Sequence, residues 1–334
     1  MDLSRMRVDG CVVDDRSEVM DRFRVSNDQG ALESLPERYG TDVRAVVESM
    51  NGARFVFDTL TPLGWDVQIA DAVLVKAMAP LTAKTDRIDA QVLADLSVRD
   101  LIPSIWIPPL RVRQGRERSR FRVSLVHHRV QLKNRIHATL ITFGKHYTMS
   151  DLFGVNGREV LESWELPAPW GAHITVNLDL IDHFDRVIAD HDKVIARYAN
   201  DDPATRLLMT APGIGTVLGY TISNEIGDIG RFATPQKLVS YTGLAPSVYH
   251  SANIDRRGPI TRRGPKHLRW ALIEATTHAQ RHLAFRARHQ RLKSKRNAKI
   301  ARVDTARRLA TAIWWMLTKR EPFAPQGAGP LLTA

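Results

Sequence analysis

The sequence predicts an α/β N-terminal domain, a long helical arm and a mainly α C-terminal domain. Three observations carry this. Short apolar runs, several rich in β-branched residues, alternate with helical patterns over the first 80 or so positions. Two long segments, 111–143 and 174–198, repeat apolar residues at three- and four-residue spacing. Charge then divides the chain: residues 1–100 hold 12 Lys and Arg against 18 Asp and Glu, whereas residues 256–320 hold 19 against 2. A third block, 111–135, holds 9 against 1. The boundaries that follow are 1–105, 106–200 and 201–322, with a flexible tail over 323–334.

Bulk properties narrow the function classes. The 334 residues carry a net charge of +12, and 43% are hydrophobic, enough for real cores. Cys11 is the one cysteine, which excludes disulfides and a cysteine zinc site. The opening MDLSRMRVDG lacks the apolar core of a secretory signal, and no run of eighteen apolar residues is present. The expectation is a cytoplasmic protein with no membrane partner. An acidic domain followed by basic segments suits an enzyme that holds divalent cations in one part and a polyanion in the other. A basic protein that binds nucleic acid without chemistry fits the same charge pattern.

The elements follow in order. MRVDGCVVDD and EVMDRFRVS read as two strands joined by a turn at Asp14–Arg16. Positions 27–39 read as a helix with Ala31, Leu32 and Leu35 inward, and Val43–Glu48 as a buried strand. A helix through Phe55, Leu60 and Leu63 precedes the strand Trp65–Ala70, and helices continue from Ala72. This order suggests a mixed sheet flanked by helices. LIPSIWIPPL, with three prolines, reads as an extended linker. The arm begins at Arg111 with the stripe Phe121, Leu125, Leu132, Ile136 and Leu140, and Gly144 ends that helix. Residues 152–169 read as irregular, with Trp164 and Trp170 as packing residues. Residues 174–198 return as a near-heptad helix, so the two form an antiparallel hairpin or coiled coil, with His127, His128, His137 and His191 on its surface or seam. Helices over 204–210, 216–226 and 235–241 follow, then turns, then a mostly helical 267–317.

Four acids stand out by position. Asp2 opens the first strand and Glu48 closes the buried one. Asp86 and Asp89, three apart in KTDRIDA, share one helix face. Converging carboxylates repel and require a compensating cation, most simply Mg²⁺. Singly, Asp86 with Asp89 also reads as a capping pair and Glu48 as an exposed strand end. In APGIG, the amides at Gly213 and Gly215 suit a phosphate, or the segment is a plain tight turn.

The stretch GLAPSVYHSANIDRRGPITRRGPKHLRW places Ser251 just ahead of Arg256, Arg257, Arg262, Arg263, Lys266 and Arg269. Glycine and proline break the run, which predicts turns leading to a helix near Lys266. A serine among fixed cations suits attack on a phosphodiester, the cations stabilising charge on the transferring phosphate. An ordinary turn serine in a solvated basic loop is the competing reading.

Taken together, KTDRIDA, VQLKNRIHATL, APGIG and the Gly243–Trp270 stretch resemble the DEDD insertion-sequence transposases of the IS one-ten group, from Asp2 to about Pro322. The resemblance implies a RuvC/ribonuclease-H-like N-terminal domain whose Asp2, Glu48, Asp86 and Asp89 bind Mg²⁺. It implies a C-terminal transposase domain in which Ser251 attacks DNA, and a structured guide RNA from the element itself. It further implies a homo-oligomer, dimer or tetramer, joined partly through the arm, with the acids of one subunit completed by the serine domain of another. Two departures stand against the family pattern. Only Met1 precedes Asp2, so the first strand lacks its opening half, and a start codon further upstream is expected. Ala252 follows Ser251 where glycine is usual, which keeps Ser247 as the fallback nucleophile. The alternatives are a RuvC-like nuclease that hydrolyses with metals alone, and an inactive nucleic-acid-binding relic.

Overall fold

The computed structural model describes residues 1–78, 86–251 and 254–324, with the side chains of 86–87, 249–251 and 254–257 outside the description. The chain divides into two compact units, Met1–Pro108 and Pro109–Ala334.

The first unit is α/β. Strands β1 (Asp2–Leu3), β2 (Arg7–Val13) and β3 (Val19–Ser26) form an antiparallel sheet in that order, bulged between Val12 and Val13. Helix α1 (Gln29–Tyr39) starts where the Asp28 carboxylate accepts from the Ala31 amide, and it buries Leu32 and Leu35. Strands β4 (Arg44–Glu48) and β5 (Asp66–Ala70) pair in parallel, joined by α2 (Ala53–Leu60) and a 3-10 turn. One mixed sheet is expected from the sequence. Among the described residues it is two sheets instead, because β1 has only two residues to offer a ladder. At the seam the Met1 ammonium donates to the Val46 carbonyl at 2.7 Å. Helix α2 turns Ala53, Val56 and Leu60 inward, while Phe55 and Leu63 stay partly exposed. The linker is extended as expected, and Ser104 bridges Ala70. Helices α3 (Ala72–Met78) and α4 (Asp86–Val98) complete the unit, α4 lying against β1, β2 and β4.

The second unit is mainly helical. Helix α5 (Leu110–Thr142) runs antiparallel to α7 (Trp170–Asp201), as the pairs Arg122–Asp192 and Arg129–Asp185 show. On α7 the buried Ile174, Ile181, Ile188 and Ile195 recur every seven residues. On α5 the expected stripe holds at Leu125, Ile136 and Leu140. Phe121 departs from it, 48% exposed with its ring against His191. Near that end α5 also packs on α9 (Thr216–Ile226), so Gly115 and Ser119 become its buried face. Residues 152–169, expected irregular, contain α6 (Val155–Ser163), which buries Gly157 and Leu161. Helices α8 (Pro203–Leu208), α10 (Pro235–Tyr241), α11 (Lys266–Ala279), α12 (Leu283–Lys295) and α13 (Ala298–Lys319) enclose the largest core, built on residues such as Leu208, Ile222, Leu272 and Ile313. The expected turns after Gly243 are instead an antiparallel ribbon, β6 (Pro246–Ser251) and β7 (Ile254–Ile260). A ribbon of two strands has no inner strand, so Pro259 costs it little. Among the described residues, no helix is long and apolar enough to cross a membrane.

Candidate functional site

In the first unit, three elements that pack on one another carry expected acids. Asp2 lies on β1 opposite Asp9, Glu48 ends β4 opposite Ala70, and Asp89 sits one turn into α4, which packs on both strands. All three are half-buried. Asp86 is the first residue of α4, and its side chain lies outside the described residues. Among the described residues, no three acidic, histidine or cysteine side chains converge as a metal site. The donor set itself is all carboxylate oxygen, the chemistry a hard divalent cation takes, so these residues fit Mg²⁺ by type. Asp9, more buried than Asp2, Glu48 or Asp89, is paired instead with Arg7 at 3.0 Å and Arg24 at 2.7 Å.

In the second unit, the ribbon sets the geometry. Ser251 ends β6 at the ribbon's tip, opposite Ile254. Its side chain, those of Arg256 and Arg257 on the returning strand, and all of Ala252 lie outside the described residues. Ser247 occupies the bulge, where its hydroxyl donates to the Pro259 carbonyl at 3.0 Å. Arg262, Arg263 and Lys266 are exposed beyond the ribbon's end.

Arg269 differs from them. It is half-buried on α11, and its Nη1 donates to the carbonyls of Thr242 and Arg262, both at 3.2 Å. Burial, with Arg262 beside it, pulls its guanidinium below the usual arginine range. Arg307, on α13, donates through Nε to the Leu244 carbonyl at 2.8 Å. Sequence reasoning missed Arg307, since one arginine in a basic helix carries no signal of a contact 63 positions away. Gly243 holds the entry to the ribbon at φ 71°, where a side chain would run into Arg269 and the Arg263 carbonyl. His267, next to Lys266, is pushed below the ordinary histidine value mainly by burial.

The two expected phosphate glycines also differ from each other. Gly213, at φ 82°, lays its backbone on that of α11 at Ala275 and Ala279, so close packing accounts for it. Gly215 caps α9 with open space around its Cα and no side-chain cap bond.

Comparison with known proteins agrees with this layout. Residues 1–144 match a DEDD transposase profile described as "Transposase", and residues 205–291 match one described as "Transposase IS116/IS110/IS902 family". The chain is 27% identical over 234 residues to the transposase for insertion sequence element IS1328 of Yersinia enterocolitica, covering 68% of each. It is 25% identical over 291 residues to a probable family 20 transposase of Pseudomonas aeruginosa, covering 84% of this chain and 85% of that one. It is 24% identical over 330 residues to the transposase for insertion sequence element IS1111A of Coxiella burnetii, covering 94% and 87%. Both profiles fall in the expected order, the acids inside the first and the serine ribbon inside the second. The chain thus carries IS110/IS116-family transposase domains over both of these stretches, and it is a DNA transposase.

Proposed function

We propose that this transposase excises and integrates its element by serine attack on DNA, with Ser251 as nucleophile. The observation that supports this most is the placement of Ser251 at the tip of a ribbon whose return strand carries Arg256 and Arg257. The hydroxyl oxygen of Ser251 bonds to phosphorus, the bond from phosphorus to the leaving sugar oxygen breaks, and the hydroxyl proton passes to solvent or a nearby base. The phosphoserine keeps the bond energy for rejoining. Arg256, Arg257, Arg262, Arg263 and Lys266 hold backbone phosphates, and the N-terminal amides of α9 near Gly213 and Gly215 offer a further phosphate contact. Asp2, Glu48, Asp86 and Asp89 would hold Mg²⁺, which when bound polarises the scissile phosphate.

The reading extends to a guide RNA from the element, and to a homo-oligomer, dimer or tetramer, joined through an α5–α7 coiled coil. Ser247 is the weaker nucleophile candidate, because its proton is engaged by the Pro259 carbonyl. Purified protein, junction DNA, the element's flanking RNA and Mg²⁺ run on a denaturing gel test the mechanism. A DNA-linked protein band is expected. It disappears in Ser251→Ala, in Asp86→Ala and with a chelator, and persists in Ser247→Ala. Cleaved DNA without an adduct would instead favour a metal-only nuclease, and no product from wild-type protein would favour an inactive relic.

A further inference from the structure

Among the described residues, the ribbon that carries Ser251 has two strands, and a two-stranded ribbon is marginal by itself. Its aim is therefore set where it leaves the helical core. Thr242 and Leu244 are fully buried there, so their carbonyls require partners. Two arginines from different helices supply them. Arg269 spans the entry and the exit by holding the carbonyls of Thr242 and Arg262. Arg307 holds the carbonyl of Leu244. The amides of Thr261 and Arg262 close the root, donating to Ala245 at 2.9 Å and Gly243 at 3.1 Å. Nearby Arg262, Arg263 and Lys266 are exposed, whereas Arg269 and Arg307 are half-buried.

We propose that Arg269 and Arg307 are positioning residues that clamp the root of the β6–β7 ribbon and aim its tip, and do not act as phosphate ligands. The proposal rests on the role given to Ser251 above. Ser251 stands roughly 17 Å from Pro246 at about 3.3 Å per strand residue. Over that lever a root tilt of about 5° displaces the tip by roughly 1.5 Å. A displacement near 1 Å is enough to cost about a hundredfold in rate. Arginine suits the task because its planar fork can hold two carbonyls at once, which an ammonium does with less geometric control.

The test measures three quantities on the full chain: the initial rate of adduct formation at saturating junction DNA, the DNA Kd, and its salt slope. Arg307→Met and Arg269→Met are expected to lower the saturated rate about 100-fold. Their Kd stays within about twofold and the salt slope is unchanged, because no phosphate contact is lost. A phosphate ligand gives the opposite split. The slope would fall by about one and Kd would weaken while the saturated rate held, and that result would overturn the proposal. Should either methionine variant fail to fold, Arg307→Lys keeps the charge and a donor. Faster hydrogen exchange at the Thr261 and Arg262 amides is then expected, and wild-type exchange at both would refute the clamp. An adduct that survives Ser251→Ala would remove the nucleophile assignment, while the exchange measurement still decides the clamp.

Discussion

Glu225 on α9 has a fully buried carboxylate, and Arg120 on α5 holds it through both oxygens, at 2.8 and 3.0 Å. Arg116 stands 3.9 Å away, its own guanidinium engaged with the carbonyls of Asn224 and Glu225. Arg120→Met removes two charge-assisted hydrogen bonds while keeping the apolar stem. Breaking a buried pair from one side costs about 3–5 kcal/mol, because the remaining charge stays desolvated. The Arg120 side chain is 42% exposed, so water screens part of the pair, and Arg116 remains to compensate. The expected loss is therefore about 3 kcal/mol, at the lower end of that range. At roughly 2–4 °C per kcal/mol for a unit of this size, Tm falls by about 6–12 °C. Thermal and urea unfolding of Arg120→Met, Glu225→Gln and the double variant form the cycle. The double variant should cost about 2 kcal/mol less than the two singles combined, since removing both charges strands neither. A loss under about 1 kcal/mol for Arg120→Met, or an additive cycle, would refute the argument that this pair ties α5 to α9.

Two further predictions concern stability. His289 is buried on α12 with Nδ1 2.9 Å from Thr305 Oγ1, and that hydroxyl is already donating to the Ala301 carbonyl, so Nδ1 carries the proton. Burial, then Lys293 and Arg302, hold its pKa below the ordinary 6.5. The unfolded chain thus binds a proton more readily, and stability drops as pH falls through the ordinary histidine range. Tm should decline between pH 7.5 and 5.5, and His289→Gln should flatten part of that decline, with parallel curves counting against it. Gly213→Ala must hold φ 82° and push into the α11 backbone, so about 2–4 kcal/mol is expected, whereas Gly215→Ala meets open space and should cost under about 1 kcal/mol by urea unfolding. Equal costs would show that close packing is not what requires glycine at 213.

What the sequence made legible followed from periodicity. The strands over 44–48 and 66–70 and the seven-residue spacing on α7 need only local patterning, and both are present. Phe121 was misplaced because α5 packs on both α7 and α9 along its length, and a stripe drawn on one helix cannot register a second partner. The ribbon was hidden by Gly258 and Pro259, which signal turns in any window and are tolerated here because, among the described residues, the ribbon has two strands and so no inner one. The acids were legible as positions on elements. Whether they share a neighbourhood depends on how α4 sits on β1 and β4, which is tertiary information.

The cations show most clearly what composition leaves out. Counted by sequence, the block 111–135 and the block 256–320 both look made for a polyanion. In the folded chain they are used differently. Arg120, Arg122 and Arg129 of the first block are paired with Glu225, Asp192 and Asp185, and Arg116 is spent on carbonyls. Much of that block's charge therefore holds the helices to one another. The second block gives Arg288 to Asp304, and Arg269 and Arg307 to the ribbon root. It leaves most of its other described cations exposed, Arg262, Arg263, Lys266, Arg291, Lys293 and Lys295 among them. Counterion release counts only charges that reach phosphate, so cations held in pairs or on carbonyls contribute less to it than exposed ones. A net charge of +12 sets the sign of the partner, and side-chain pairing decides which face it meets.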